Sequence, residues 1–349
     1  MTESEFRKKV VWFTFLFSLL VVWIHSYNAE LFLEWSEDAA DVYWAEYLIG
    51  DSLGQIAVPG FFMISGYLFY RGFHWELLWD KWNRRIRSLL VPFILWNFLY
   101  YIGYVIGSRL PWVRDVMGKG TIPFHLGAAI DAVINYTYNY VFWYLYQLIA
   151  LTLLAPVLYP LLKRWQTRIG FMAVLWWMAW KDIRLPAVNV DALIYYGTAA
   201  SLAMVKNKKL WSPEASWSPY RALAGAGLMV FSGWAYFWGL SRAVIPGFVL
   251  CRLLAVAGLW LMVPGEKLPE PRDFMKYSFF LYATHFALVR LINKTAARLW
   301  EPVKWEPFAL FLVMPVLVLT ISYWAGKLLR RFLPSFWNCL LYTSDAADD

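Results

Sequence analysis

Five ionisable side chains fall within, or at the edge of, long apolar stretches: His25, Asp191, Arg252, His285 and Arg290. Charge inside hydrocarbon is costly, so each of them calls for a partner or a task. His25 stands in Val22-Trp23-Ile24-His25-Ser26, at the end of the first stretch. An imidazole there can take a proton from a hydroxyl near neutral pH and later return it. The bland alternative is an interfacial histidine bonded to a carbonyl or a lipid headgroup. His285 lies mid-stretch, where a buried histidine satisfied by a neighbouring helix competes with a functional one. Arg252 has no carboxylate in its own stretch, which makes Asp191 the partner to look for. Arg290 lies near enough to a surface to snorkel. The segment Lys81-Trp82-Asn83-Arg84-Arg85-Ile86-Arg87 adds a different chemistry. On a helix Arg84 and Arg87 share a face and Arg85 is rotated away. Paired guanidinium forks suit phosphate, although plain basic anchoring at a membrane surface explains the run equally well.

These residues must be positioned by membrane-spanning helices. Crossing about 30 Å of hydrocarbon takes roughly 20 apolar residues in helical form. Eight segments meet this directly: 10–27, 54–70, 88–106, 140–162, 222–240, 243–263, 277–293 and 307–324. Two weaker ones, 169–180 and 187–205, bring the expectation to about ten spans with both termini cytoplasmic. Basic residues test the orientation. Of 32 Lys and Arg, 21 fall on the side taken as cytoplasmic and 9 on the other, with Arg252 and Arg290 inside spans. The first external loop holds Glu30, Glu34, Glu37, Asp38, Asp41, Glu46 and Asp51 and no basic residue; a solvated acidic loop is the expected reading. Gly118, Gly120 and Pro123 break up the long loop 107–139.

Composition agrees with a polytopic all-α bundle. Hydrophobic residues make up 60% and charged ones only 16%, against roughly 25% charged in soluble domains. The 23 Trp suit two membrane–water interfaces. The net charge of +8 reads as topology; no basic patch interleaved with stacking aromatics points to nucleic acid. Cys251 and Cys339 provide neither a disulfide framework nor metal-ligand spacing, so no metal is expected. The first apolar run lacks a small-residue cleavage site and reads as a retained anchor rather than a signal peptide. Residues 339–349 read as a translated sequencing-adaptor end, which leaves 1–338 as a single membrane domain.

Several segments, in order, resemble the acyltransferase family 3 membrane proteins, which O-acylate bacterial surface glycans. The first span ends in His25. Val58-Pro59-Gly60-Phe61-Phe62-Met63-Ile64-Ser65-Gly66-Tyr67-Leu68 is similar to the family's proline–aromatic–Ser-Gly-Tyr signature. The basic run leads into Leu90-Val91-Pro92-Phe93-Ile94-Leu95-Trp96-Asn97, and Phe142-Trp143-Tyr144-Leu145 with Pro156 resembles the Trp-Phe-Leu element. Tyr277-Ser278-Phe279-Phe280-Leu281-Tyr282-Ala283-Thr284-His285 matches the penultimate-helix pattern. The resemblance covers about residues 10–324. It departs from many members in having neither Asp nor Arg between Val11 and Leu20, and in lacking a soluble hydrolase-like domain.

The resemblance implies a ten-helix bundle in the bacterial cytoplasmic (inner) membrane. It implies transfer of an acyl group, usually acetyl, from cytoplasmic acyl-CoA (acetyl-CoA) to a glycan or lipid-linked sugar hydroxyl. By that analogy His25 is catalytic, and Arg84, Arg85 and Arg87 meet coenzyme A phosphates. Ser65 and Gly66 then line the acyl path, and Trp143, Tyr144 and His285 bind substrate. Either His25 acts as general base on the hydroxyl, or it carries the acyl group covalently. Two other classes stand beside this one. A transporter or flippase of a small solute or lipid-linked sugar would use Asp191, Arg252 and His285 at midplane. A scaffold partner of a glycan synthase would need no chemistry at all.

Overall fold

A computed structural model describes residues 1–118, 120–205, 212–239 and 245–341. Lys119, Lys206, Lys208, Lys209, Arg242, the adjoining ends of the spans at 222–240 and 243–263, and the tail 342–349 lie outside the described residues. Within them the chain is all-α. Helix α1 (Glu3–Ile24) is followed by α2 (Ala29–Leu33), α3 (Glu37–Gly50) and α4 (Ala57–Tyr70). Next come α5 (Leu78–Arg85), α6 (Val91–Gly107), α7 (Pro111–Met117) and α8 (Leu126–Ile134). The second half holds α9 (Trp143–Leu153), α10 (Ala155–Lys163), α11 (Trp165–Trp180), α12 (Val190–Met204) and α13 (Pro219–Phe237). Helices α14 (Ile245–Met262), α15 (Ser278–Leu299), α16 (Glu306–Phe332) and α17 (Pro334–Leu341) complete it.

All ten expected spans contain helix, but they are not equal. Five of the helical segments, 3–33, 37–70, 75–107, 245–262 and 306–332, are long and apolar enough to cross a membrane alone. The pair α9 and α10, bent by 65°, makes a sixth if counted as one span. Helices α11 and α12, at 16 and 15 residues, are too short to pass that test alone. The outer surface of the bundle is apolar, with Phe98, Val157, Trp177, Val230 and Val316 all exposed, while Lys9, Glu46 and His285 are buried. That inversion is what lipid as solvent demands.

Local sequence explains the features that shape the interior. Thr2 and Glu5 form a capping box that starts α1. Proline at 156 cannot donate to the Thr152 carbonyl one turn earlier, and α9 breaks from α10 there. The Trp82 indole takes over that carbonyl at 2.9 Å, tying α5 to the bend. Between α5 and α6 the chain widens into a π turn, Ile86–Leu90, just ahead of Pro92.

Small residues let backbones nearly touch. A Cβ on Gly66 would lie 2.5 Å from the Tyr196 carbonyl oxygen, so α4 and α12 pack backbone to backbone. Gly225 of α13 and Gly258 of α14 make the same kind of crossing, each facing the other's carbonyl.

Two charge expectations change in the folded chain. Lys9, one of the 21 basic residues counted on the cytoplasmic side and so expected at the membrane surface, is buried and donates to Trp260 O (2.6 Å) and Val263 O (2.8 Å). It caps the C-terminus of α14, where unsatisfied carbonyls and the helix dipole favour a cation. The acidic loop is not simply solvated: it folds into α2 and α3. Glu46 is fully buried and accepts from the Asn28 and Ala29 amides that open α2. Asp38 and Asp41 each meet Lys304 at 2.8 Å and hold that ammonium above its ordinary pKa. Asp131, in α8, is held below the usual carboxylate range by Asn135 and Thr137.

Candidate active site

His25 is the residue at which α1 stops. Its amide still bonds the Val22 carbonyl (3.1 Å), but its backbone has left the helical region. The ring is half-buried and turned into the bundle. Its Nδ1 lies 2.9 Å from the Tyr140 hydroxyl. Its ring centroid is 5.2 Å from that of His285 and 5.8 Å from that of Phe286. Tyr140 packs edge-on to Phe286 at 4.6 Å.

His285 is fully buried. Its Nδ1 is 2.5 Å from the Tyr282 carbonyl one turn earlier. A carbonyl only accepts, so Nδ1 carries the proton and Nε2 keeps a lone pair. That Nε2 has no hydrogen-bond partner among the described residues. Leaving a buried acceptor unpaired costs about 1–3 kcal/mol, which a native structure rarely tolerates without a reason. The helix that carries it is pinned on three sides. Tyr282 donates to Val141 O (2.8 Å), Tyr100 to Ala283 O (2.9 Å), and Thr284 pairs with Ser322 (2.9 Å).

A line of rings runs from this pair toward the basic segment. His285 is 5.9 Å from Tyr282, and Tyr282 is 6.0 Å from Tyr144. Tyr144 in turn faces Ser65 and lies near Arg85. Arg85 also neighbours Tyr196. Arg85 is half-buried and turned inward, while Arg84 and Arg87 are both exposed. The helical face count made from sequence therefore separates the three arginines in the way the fold does, and it is the odd one out that looks inward.

Of the residues read from sequence, His25 and His285 come together at one end of this line. Ser65, Tyr144 and Arg85 come together at the other. Trp143 packs on Phe62 at the edge of the line (6.4 Å). Gly66 is taken up by the α4–α12 contact. Arg252 has Asp191 as a charge neighbour, but its hydrogen bond goes to Gln55 (2.6 Å) and its guanidinium stacks on Phe248 (3.5 Å), while Asp191 Oδ1 accepts from the Ala192 amide. Sequence reading missed Tyr140, Tyr282 and Phe286. Tyr282 could have been found, because it sits three residues before His285 on the same helix face. Tyr140 has no such signal, since it reaches His25 only through tertiary packing. Among the described residues no group of three or more His, Cys, Asp or Glu could hold a metal ion.

The arrangement offers a histidine with one nitrogen held by a phenol, a second histidine with an unpaired lone pair, and a path of hydroxyl-bearing rings leading to an arginine. A family model described as an acyltransferase domain (acyltransferase 3) matches residues 12–327. The chain is 26% identical over 313 residues to the succinoglycan biosynthesis protein ExoH of Rhizobium meliloti (strain 1021), covering 83% of this chain and 80% of that protein. No solved structure matches.

Proposed function

The chain belongs to this acyltransferase family, and from that premise we propose that it O-acylates a glycan, moving an acetyl group from cytoplasmic acetyl-CoA to a sugar hydroxyl. The observation that carries the reading is His25 Nδ1 at 2.9 Å from Tyr140, beside the unpaired Nε2 of His285. The glycan acceptor rests on the family and on the ExoH relative, whose name places it in polysaccharide biosynthesis.

In the proposed step His25 Nδ1–H donates to the Tyr140 oxygen, which leaves Nε2 as the base. Nε2 takes the proton of the acceptor hydroxyl while that oxygen attacks the thioester carbon. The C–S bond breaks, and the proton passes from Nε2 to the departing sulfur. The products are the O-acyl ester and free coenzyme A thiol. His285 Nε2, held as an acceptor by its bond to Tyr282, receives a hydrogen bond from the sugar. Arg85 meets coenzyme A phosphate, with Arg84 and Arg87 at the rim. Ser65 and Tyr144 line the acyl path between them. The protein sits in the bacterial cytoplasmic membrane with ten spans and both termini inside, as the 21-to-9 basic bias directs.

Purified protein in nanodiscs with radiolabelled acetyl-CoA and a glycan acceptor tests this. Label should reach the glycan, with release of coenzyme A thiol dependent on the acceptor, and His25→Ala should abolish both. Transfer by His25→Ala at the parental rate refutes the role of His25. Thiol release without acceptor, or none at all, refutes the transfer.

A further inference from the structure

Arg290 lies one turn outward from Phe286 on α15, and its guanidinium sits over the Phe286 ring at 5.4 Å. Phe286 is the ring that also packs on Tyr140 and His25, and the Arg290 charge lies near Tyr140. It is half-buried, yet among the described residues no carboxylate lies within ion-pair distance of it. An arginine inside a span ordinarily finds an acid or a polar partner, as Arg252 does in Gln55. Acids are abundant in the adjacent first loop, but they are committed elsewhere or face solvent. Glu46 caps α2, Asp38 and Asp41 hold Lys304, and Asp51 accepts from Gln55 and Tyr236. Glu30, Glu34 and Glu37 are exposed. The guanidinium is thus held on an aromatic floor beside the candidate base, with its donors unspent on protein anions.

We infer that Arg290 binds an anionic group, carboxylate or phosphate, carried by the acyl acceptor itself. The inference rests on the acyltransferase reading above, because it takes the acceptor hydroxyl to lie at His25 and His285. The guanidinium lies 5.4 Å from the Phe286 ring, itself 5.8 Å from the His25 ring, so Arg290 reaches a charge about one sugar unit away from that hydroxyl. A guanidinium fork suits both carboxylate and phosphate. The substrate class is therefore an acidic glycan or a sugar linked through phosphate, not a neutral one. A lipid headgroup offers the same chemistry to a snorkelling arginine, and the test must separate the two sources.

The test is equilibrium binding to the full chain in nanodiscs of phosphatidylcholine. The probes are a neutral β-glucan hexasaccharide and its counterpart with one glucuronic acid. The parent should bind the acidic probe roughly 10- to 100-fold more tightly. Arg290→Gln should bring the two probes level without changing affinity for the neutral one, and Arg290→Lys should keep part of the preference. Three results overturn the inference: equal or absent binding of both probes by the parent, a preference that survives in Arg290→Gln, or a preference that collapses once phosphatidylglycerol is added. The last result assigns Arg290 to headgroups. Acetyl transfer measured on the same samples keeps the two readings apart. Preference in binding without transfer to either probe counts against the enzyme reading alone, while equal binding with transfer counts against Arg290 alone.

Discussion

Replacing Tyr140 by Phe removes one oxygen and little else. The ring keeps its edge contact with Phe286 at 4.6 Å and its T-shaped contact with His25 at 5.7 Å, so the fold should be undisturbed. What is lost is the hydroxyl 2.9 Å from His25 Nδ1. With neutral imidazole that bond is worth about 1 kcal/mol; once Nε2 has taken a proton it becomes charge-assisted and worth about 1.5–3 kcal/mol. Only the difference, about 0.5–2 kcal/mol, acts on the chemical step. Tyr140→Phe should therefore lower kcat roughly 2- to 30-fold, with the KM for acetyl-CoA unchanged. Initial rates of labelled acetyl transfer at saturating donor measure this, with thermal unfolding in detergent as the check on folding. A parental kcat, or a loss carried entirely by the donor KM, refutes the claim that the phenol steadies a charged imidazolium.

Three other perturbations follow from the same geometry. Arg85→Gln should raise the KM for acetyl-CoA about tenfold or more, as loss of a charge-assisted phosphate contact implies, while Arg84→Gln should raise it less than about threefold; equal effects would mean that the inward turn of Arg85 is irrelevant to the donor. Gly66→Ala forces a methyl to 2.5 Å from the Tyr196 carbonyl oxygen, where only backbone can yield. It should cost about 1–3 kcal/mol, whereas Gly103→Ala, which meets nothing within 4 Å, should not lower the thermal midpoint. A Gly66→Ala midpoint equal to the parent's would contradict the tight α4–α12 crossing. Lys9→Met strips the cap from the Trp260 and Val263 carbonyls and should destabilise the protein by about 1–3 kcal/mol in denaturant unfolding; an unchanged midpoint would return Lys9 to a surface anchoring role.

The amino-acid sequence by itself determined the class of the molecule. Apolar runs of the length of a bilayer, scarce charge and abundant Trp leave only a helical membrane bundle, because backbone polar groups in lipid must be satisfied within each helix. The same reasoning singled out His25 and His285, since ionisable groups in such runs stand out by their cost, and the spacing of the basic run singled out Arg84, Arg85 and Arg87. The break at Pro156 went unread, because 140–162 stood as one apolar segment, although the missing N–H is a property of one residue. Tertiary structure decided everything that depends on which helix meets which. Only packing brings Tyr140 to His25 across more than a hundred residues, turns Arg85 inward past two exposed neighbours, and gives Arg252 a hydrogen bond to Gln55 beside the charge of Asp191. It also converts Lys9 from an anchor into a helix cap and buries Glu46 out of an acidic loop. A side chain's type states what it needs, and periodicity states which face it occupies. The partner that meets the need lies on another helix, at a distance and angle that neither type nor periodicity encodes.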